Sequence, residues 1–298
     1  MPRAADRDRR RDRSVGRPDR QHSAGPAHRA HRLARLPGGP VNLVFDVGNS
    51  ETTVGLFDAG QLAGHWRITS DQARTPDEIG VLLRALLAGQ GFDPHAVGGV
   101  AIASVVPPVT QPLQQACERW VAHARVVVVD PTSKLPITLQ VDEPMSVGAD
   151  RIINTLAASQ LHKRDAIVVD LGTATTYDCV TRDGVFLGGV IAPGVRTSAE
   201  TLFRRTSKLP ATELVAPDRV IGTRTDTNIR AGVMYGAADA IDGIVGRIKA
   251  EWPGKESPMV IATGGLAEVF RDLWRSIDLI DPYLTLTGLD LAFGLLTG

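Results

Sequence analysis

Two matched stretches of the chain place an aspartate, a glycine and a hydroxyl-rich turn between strand-like runs. The first spans Asn42–Gly64 and the second Ala166–Gly189. In each, an apolar run ends in Asp-x-Gly, at Asp46 and at Asp170, and Ser or Thr residues follow. Glycine lets backbone N–H groups approach a phosphate, and a carboxylate beside the turn can hold a cation. The two stretches therefore predict a cleft that grips a nucleotide's phosphates between two related domains.

The chain divides into a basic leading stretch and an acidic remainder. The whole sequence of 298 residues has 33 Lys+Arg and 33 Asp+Glu. Residues 1–40 hold 11 of the basic and 4 of the acidic residues, so residues 41–298 carry a net charge of −7. This acidic balance disfavours nucleic acid as a partner of the folded part.

Residues 1–40 are rich in Arg, Asp, Pro, Gly and His and hold few apolar residues. We expect them to be a disordered extension. The extension would be either a solvated linker or the product of an over-long translation start. No apolar run follows Arg9–Arg11, as an export signal requires, and no stretch reaches the roughly 18 apolar residues of a membrane span. The protein is therefore expected in the cytoplasm, with no membrane partner.

Neither the cysteines nor the histidines show metal-ligand spacing. Cys117 falls in a helix-like segment and Cys179 in a strand-like one, so both are expected to be small buried residues. Zinc chemistry is not supported.

The first half alternates strands and helices. Three short strands form a meander from Val41 to Trp66, and Thr75–Glu78 then marks a helix start with a capping box. A run that is apolar on both faces, Val97–Val106, predicts a central parallel strand. A helix opened by Pro107 and a further buried strand, Ala124–Asp130, follow.

The second half repeats this order. It predicts a bridging helix at about 150–162, followed by three strands that begin at Ala166, Thr175 and Val185. Two helices follow, one from Thr197 and one over about 226–250. A strand at 259–263 and a helix around Leu266 to Val269 come last. Two α/β domains on a duplicated ribonuclease H-like plan, with an ATP cleft between them, explain this better than chance alternation. We place the domains at 41–147 and 148–298.

The sequence has no GxxxxGK[ST] loop and no GxGxxG after a strand, so the P-loop and dinucleotide Rossmann folds lose their main support. The paired Asp-x-Gly hairpins instead resemble the superfamily of acetate and sugar kinases, Hsp70 and actin, whose two loops clasp the phosphates of ATP. Gly264-Gly265, after the apolar strand 259–263, resembles the adenosine motif of that superfamily.

Within the superfamily, a set of motifs closely resembles type III pantothenate kinase. They are DVGNS, GADRI, DLGTATTYD, GGVIAPGV and LTLTGL, in the family's order. The resemblance runs from about Val41 to Gly298. It implies ATP-dependent phosphorylation of the primary hydroxyl of pantothenate, the first step of coenzyme A synthesis.

The resemblance also implies roles for individual residues. Asp150 is the base, Asp170 binds a monovalent cation (K⁺ or NH₄⁺), and Asp46 holds Mg²⁺, directly or through water. The residues expected to bind ATP are Asp46, Val47, Gly48, Asn49, Ser50, Glu51, Thr52, Thr53, Thr173, Gly264 and Gly265. The residues expected to bind pantothenate are Val141, Gly148, Ala149, Asp150, Arg151 and, across a dimer interface, Thr225.

The chain departs from the family at two of these positions. Glu51 stands where the family usually has an asparagine, so it either weakens ATP binding or points outward. Val141 stands where the family often has a tyrosine, which puts that substrate contact in doubt. One other function stays open at this point, a non-catalytic, nucleotide-binding accessory to transcription. A sugar or acetate kinase lacks support, because the GADR segment stands in the pantothenate position.

A homodimer is expected from the resemblance. The long helix predicted over 226–250 carries an apolar stripe that could meet its symmetry mate or face the chain's own core. The stripe consists of Ile229, Val233, Ala237, Ile241 and Ile244.

Overall fold

The computed structural model describes residues 41–298, so the extension predicted over residues 1–40 lies outside the described residues. The described part opens with the predicted meander, β1 (Val41–Val47), β2 (Glu51–Asp58) and β3 (Gln61–Thr69). The turn between β2 and β3 has positive φ at both central residues, Ala59 and Gly60. Such a tight turn matches the twist of the strands it joins, and it fixes which residues face each other.

The first sheet is completed by two parallel strands with a helix before each. The elements are α1 (Pro76–Gly89), β4 (Val97–Ser104), α2 (Pro107–Trp120) and β5 (Arg125–Val129). The capping box predicted at Thr75 and Glu78 is confirmed. The sheet order is β3-β2-β1-β4-β5. The prediction of a buried strand at 124–130 is wrong in one respect, because β5 lies at the sheet edge and its first four residues keep partial exposure.

The second sheet repeats the first. Its elements and those that connect the sheets are β6 (Thr138–Leu139), α3 (Ala149–His162), β7 (Ala166–Leu171), β8 (Ala174–Val180), β9 (Val185–Pro193), α4 (Val195–Arg204), α5 (Thr225–Glu251), β10 (Met259–Thr263), β11 (Leu279–Ile280) and α6 (Leu284–Thr297). The order β11-β10-β7-β8-β9 matches that of the first sheet with β6 added at one edge. The predicted α/β class and duplication are confirmed, while the domain boundary at residue 147 stays a prediction.

Helices α3 and α6 form a layer between the two sheets. Ile152 and Ile153 of α3 and Leu289 of α6 pack on Val44 and Ala101 of the first sheet. The next turn of α3, at Ala157 and Ala158, packs on the second sheet instead. Most residues of α3 and many of α6 are buried because both helices are enclosed by neighbours, and α6 is apolar over most of its circumference.

Several elements differ from the sequence prediction. The helix expected after Gly264-Gly265 is a single 3₁₀ turn, Ala267–Phe270. The sequence analysis gave no helix at α6 and no strands at β6 and β11. Cys117 and Cys179 are both free and buried, as predicted.

Across residues 41–298, none of the helices has the length and apolar character needed to span a bilayer.

Gly288 sets how closely α6 approaches α3. A Cβ placed there would lie 2.8 Å from Cγ2 of Ile153 and 2.9 Å from Cβ of Ala157. Gly294 lies on the same helix, is exposed, and has nothing within 4 Å of such a Cβ. The same substitution should therefore have opposite effects at the two sites.

We predict that Gly288→Ala lowers the free energy of unfolding by about 1–3 kcal/mol through overpacking. Gly294→Ala should raise it by about 0.5–1 kcal/mol, because alanine favours the helix over glycine. Urea denaturation of both variants beside the wild type measures the difference. Equal effects of the two substitutions would contradict a close helix crossing at Gly288.

Candidate active site

A cleft of about 300 Å³ lies between the ends of β1 and β7. Both Asp-x-Gly turns line it, as the duplicated pattern predicted. The predicted site residues that line it are Asp46, Gly48, Asn49, Ser50, Glu51, Thr53, Asp150, Asp170, Thr173, Gly264 and Gly265.

The two turns touch across the cleft. Oγ of Ser50, in the first turn, lies 3.0 Å from Oγ1 of Thr173, in the second. Backbone N–H groups close each turn, with N–H of Gly48 donating to Glu51 and N–H of Gly172 donating to Ala174. The arrangement presents two short hydroxyls side by side at the centre of the cleft.

Three carboxylates share the cleft floor. Burial raises the pKa of Asp46 well above its ordinary value, and repulsion from Asp170 and Asp150 raises it further. Burial, with repulsion from Asp150, also raises the pKa of Asp170 to about 6. Burial raises the pKa of Asp150 as well, against the hydrogen bond and charge of Arg151. A cation between these groups would relieve their repulsion.

Asp170 is held by a chain of buried side chains. Nδ2 of Asn154 donates to Oδ2 of Asp170 at 3.3 Å, and the hydroxyl of Thr285 donates to Oδ1 of Asn154 at 2.8 Å. Asn154 lies on α3 and Thr285 on α6. The layer between the sheets therefore orients the carboxylate of the second turn.

Asp150 lies in the first turn of α3, where the N-terminal end of the helix favours a negative charge. Its Oδ1 accepts a hydrogen bond of 2.8 Å from the backbone N–H of Arg151. A Cβ at Gly148 would collide with the same oxygen, so the glycine gives the carboxylate its room. Asp150 lines the cleft together with the two Asp-x-Gly turns.

Arg151 is turned toward β8 and paired with a buried carboxylate. Its Nε donates to Oδ1 of Asp178 at 2.6 Å, and its guanidinium carbon lies 5.0 Å from the centre of the Phe186 ring. Burial raises the pKa of Asp178, while the Arg151 charge lowers it. Nη2 of Arg151 and Oδ2 of Asp178 are buried with no hydrogen-bond partner. Unlike Asp150, neither Arg151 nor Gly148 lines the cleft, so their contact with a substrate stays a prediction.

The Gly264-Gly265 turn follows β10 beside the second Asp-x-Gly turn. Gly264 has φ of +88°, and a Cβ there would lie 2.5 Å from Oδ1 of Asp170 and 2.7 Å from the backbone N of Leu171. Only glycine fits this position without strain. Gly265 lies against the guanidinium of Arg67.

Some predicted site residues have side chains that lie away from the cleft. Val47 is in the core on the α1 side of the first sheet, and Thr52, its partner on β2, hydrogen-bonds to Ser70 at 2.9 Å. Ala149 is buried in the layer between the sheets. ATP or substrate binding by these three residues stays a prediction and could involve only their backbone.

Two further predicted substrate contacts lie elsewhere in the subunit. Val141 follows β6, with its Cγ1 3.7 Å from where a Cβ of Gly188 would lie. Thr225 begins α5 and lines a separate apolar groove of about 740 Å³ between α4 and α5. That groove also contains the whole apolar stripe of α5, which therefore faces open space as well as the core.

The sequence analysis missed several side chains that complete the cleft. Arg67, Arg196 and Glu200 line it, and Asn154, Thr285 and Asp178 orient its charged groups. A count of residues back from the Ala59-Gly60 turn would have placed Trp66 opposite Thr53, because a register shift between Leu56 and Phe57 is what brings Arg67 there. Nothing in the local pattern around Asn154 and Asp178 marks them, because their partners are distant in sequence.

Glu51 faces a cation. Its Oε2 lies 3.9 Å from Nη1 of Arg67, and both side chains are at least half exposed. The carboxylate is therefore at the rim of the cleft and not among the buried carboxylates. Within residues 41–298, no group of three or more His, Cys, Asp or Glu side chains is arranged to hold a metal ion.

Comparison with known proteins agrees with this geometry. A sequence model of type III pantothenate kinase matches residues 42–247. The chain belongs to the type III pantothenate kinase family. It is 46% identical over 251 residues to the type III pantothenate kinase of Acidothermus cellulolyticus, with 84% of this chain and 97% of the relative covered. It is 42% identical over 250 residues to that of Geobacillus kaustophilus, with 84% and 96% covered.

The fold is shared with more distant proteins. A crystal structure described as a conserved putative Baf family transcriptional activator, from Campylobacter jejuni, superposes with a TM-score of 0.52. The two sequences are 17% identical, and the match covers 85% of this chain and 98% of that one. At this identity the likeness shows the fold alone. Because the chain described here belongs to a kinase family, it is expected to use ATP.

The buried ion pair of Arg151 can be tested against an exposed one of equal length. Nη1 of Arg119 lies 2.6 Å from Oδ1 of Asp77, and both side chains are more than 60% exposed. The Asp178 side chain, by contrast, is fully buried. Removal of one partner from a buried pair leaves the other charge without compensation.

We predict that Asp178→Asn lowers the free energy of unfolding by about 3–5 kcal/mol. Asp77→Asn should lower it by less than about 1 kcal/mol. Urea titrations at equal ionic strength compare the two variants. A loss at Asp178 no larger than that at Asp77 would show that Asp178 does not compensate the Arg151 charge.

Proposed function

We propose that this protein transfers the γ-phosphoryl group of ATP to the primary hydroxyl of pantothenate and so forms 4'-phosphopantothenate. The observation that carries the proposal is the meeting of both Asp-x-Gly turns and Asp150 in one cleft. Phosphoryl transfer mainly requires in-line positioning and stabilisation of the charge on the transferred group. The cleft supplies both requirements from its own residues.

The phosphates would lie between the two turns. Backbone N–H groups of Gly48–Thr53 and the hydroxyls of Ser50 and Thr173 can donate to phosphate oxygens from opposite sides. Gly264 and Gly265 give the adenosine close access to the backbone after β10. Binding by these residues is supported by their position in the cleft and by the family resemblance.

The cleft suits Mg²⁺ and a monovalent cation, K⁺ or NH₄⁺. Asp46 would hold Mg²⁺, directly or through water, and Asp170 the monovalent ion. Their fit is supported by the raised pKa values of both groups, since repulsion between buried carboxylates is what a bound cation relieves. When bound, such cations neutralise charge that develops on the phosphoryl oxygens.

Asp150 would accept the proton of the pantothenate hydroxyl. The carboxylate points into the cleft, has its second oxygen free of the Arg151 backbone bond, and has a raised pKa that makes it a better base. Arg151 can donate its unpaired Nη2 to a carboxylate or amide oxygen of pantothenate. Gly148 and Ala149 would contact the substrate through their backbone at the start of α3, and the contact expected of Val141 stays a prediction.

A homodimer would complete the substrate site. Thr225 is remote from the cleft of its own subunit, so its predicted contact with pantothenate requires a second copy. The groove beside it is lined by apolar side chains of α4 and α5 together with Gly232 and Gly236, and a Cβ added to either glycine would have no neighbouring atom within 4 Å. An open apolar groove of this kind supports packing of α5 against its symmetry mate. The expected cytoplasmic location also stays a prediction.

The base is tested by Asp150→Asn. Purified protein should release ADP from MgATP only with pantothenate present and faster in K⁺ than in Na⁺ buffer. Asp150→Asn should lower kcat by roughly 10²- to 10⁴-fold. Because burial raises the pKa of Asp150, the wild-type kcat should fall as the pH is lowered, and the residual kcat of Asp150→Asn should lack this dependence.

The affinity for ATP separates loss of the base from loss of the site. The Kd of ATP should not rise in Asp150→Asn, because the removed charge adds to the repulsion among the carboxylates of the cleft. A wild type that binds ATP without any pantothenate-dependent turnover would favour the non-catalytic accessory role.

The dimer is tested by two arginine substitutions on α5. Gly236→Arg places a charge in the apolar groove, while Gly246→Arg places it on an exposed part of the same helix outside the groove. We predict that Gly236→Arg is monomeric and Gly246→Arg dimeric in sedimentation velocity, because burial of an unpaired charge is costly. A dimeric Gly236→Arg would place the interface elsewhere.

A further inference from the structure

Arg67 is the cation that the first hairpin brings to the cleft. Cross-strand register places Asp46 of β1 opposite Thr53 of β2, and Thr53 opposite Arg67 of β3. Residues directly opposite on neighbouring strands share one face of a sheet. All three side chains therefore lie on the cleft side, and each lines the cleft.

The duplicated half has no cation at this position. There the matching row runs from Asp170 to Thr176 to Ile191. The aspartate and threonine are kept, but the third member is an apolar side chain that is 65% exposed. The third strand thus does not need an arginine at this position in order to form. The charge of Arg67 therefore has a role that is particular to the first half.

The Arg67 guanidinium reaches across the cleft to the other sheet. A Cβ at Gly265 would overlap the guanidinium, and its distance to Nη1 would be 2.5 Å. Gly265 belongs to the turn after β10, in the second sheet, whereas Arg67 belongs to the first. The guanidinium therefore lies between the two halves, against the turn after β10.

The charges that line the cleft are unbalanced. Its carboxylates are Asp46, Glu51, Asp150, Asp170 and Glu200, and its cations are Arg67 and Arg196. A nucleotide triphosphate adds further negative charge. A planar guanidinium with several N–H donors suits phosphate oxygens particularly well.

Glu51 engages the same guanidinium. The 3.9 Å between its Oε2 and Nη1 of Arg67, with both groups at least half exposed, describes a weak ion pair. A pair of this kind can exchange its carboxylate for a stronger anion. Glu51 therefore lies where it competes with a phosphate group for the Arg67 guanidinium. It does so from the cleft rim, outside the group of buried carboxylates.

We propose that Arg67 is a ligand of the nucleotide phosphates and that Glu51 competes with them for its guanidinium. The proposal rests on the proposed function, since it assigns a phosphate ligand within that same cleft. It also gives the Glu51 departure a specific effect: this residue lowers nucleotide affinity through Arg67 and not by repelling the phosphates directly.

The experiment measures Kd by calorimetry for MgATP, ADP and AMP, without pantothenate. The proteins are the wild type, Arg67→Gln, Arg67→Lys, Glu51→Gln and the double variant Arg67→Gln/Glu51→Gln. Arg119→Gln is the matched control, because it removes an exposed, ion-paired arginine outside the cleft. Arg119→Gln should leave every Kd within about twofold.

Loss of Arg67 should weaken ATP and ADP binding by roughly 10- to 100-fold, which corresponds to one charge-assisted hydrogen-bond set. AMP binding should change much less, and Arg67→Lys should recover part of the loss. An equal loss for AMP would instead place Arg67 against the nucleoside and overturn the proposal. So would unchanged ATP binding.

Glu51→Gln decides the competition. In the wild-type background it should strengthen ATP binding about 2- to 5-fold at low salt, and screening should reduce the gain at high salt. In the Arg67→Gln background the gain should vanish, because there is no guanidinium to release. A gain of equal size in both backgrounds would show direct repulsion and overturn the role given to Glu51.

Failure of this inference can be told from failure of the proposed function. A wild type that binds ATP and phosphorylates pantothenate, with Arg67→Gln unchanged, would overturn only the inference. A wild type that binds no nucleotide would overturn the function itself, and the inference with it.

Discussion

Mutual repulsion of three buried carboxylates is the constraint on which the rest of the structure depends. Asp46 and Asp170 end equivalent strands of two sheets, and Asp150 starts the helix between them. Burial raises the pKa of all three, and repulsion from neighbouring carboxylates raises those of Asp46 and Asp170 further. Such a site is unfavourable unless rigid neighbours hold it, and the fold supplies them: α3 and α6 fill the space between the sheets, and Asn154 and Thr285 fix the carboxylate of Asp170. Bound cations, together with a phosphate group, would relieve the repulsion that the protein's own residues leave uncompensated.

The duplication explains why the site has two similar turns, and its divergence explains why they act differently. Each half gives an Asp-x-Gly turn, a threonine opposite the aspartate and a glycine-bearing hairpin. The first half adds Arg67 and Glu51 at the cleft rim, whereas the second uses the other face of its sheet for an apolar groove beside α5. One plan thus yields a charged half that suits phosphates and a half whose far side suits a second subunit.

Much of this could be predicted from the sequence, for reasons that differ among the elements. The Thr75–Glu78 cap and the bridging helix depend on local patterns, so they were found within one residue, whereas the meander runs on to Thr69 and was predicted to end at Trp66. Helix α6 was missed because it is apolar all round and has no amphipathic period, and β6 and β11 have only two residues each. The edge position of β5 depends on sheet order, which its valines do not reveal. Of the cleft, the turn residues carry recognisable motifs, but Arg67, Asn154 and Asp178 acquire their roles only through partners far along the chain.

The position of α6 in the chain has a consequence for the order of folding during synthesis. This helix covers Val44 and Ala101 of the first sheet, yet it follows every strand of both sheets in the sequence. Domains usually fold from the N-terminus as they leave the ribosome. Here the first sheet can cover one face early with α1 and α2 and part of the other with α3, but the rest of that face must wait until the whole second sheet has been translated. The emerging chain therefore carries an uncovered apolar surface for most of its synthesis, and the nucleotide cleft forms only in the last step.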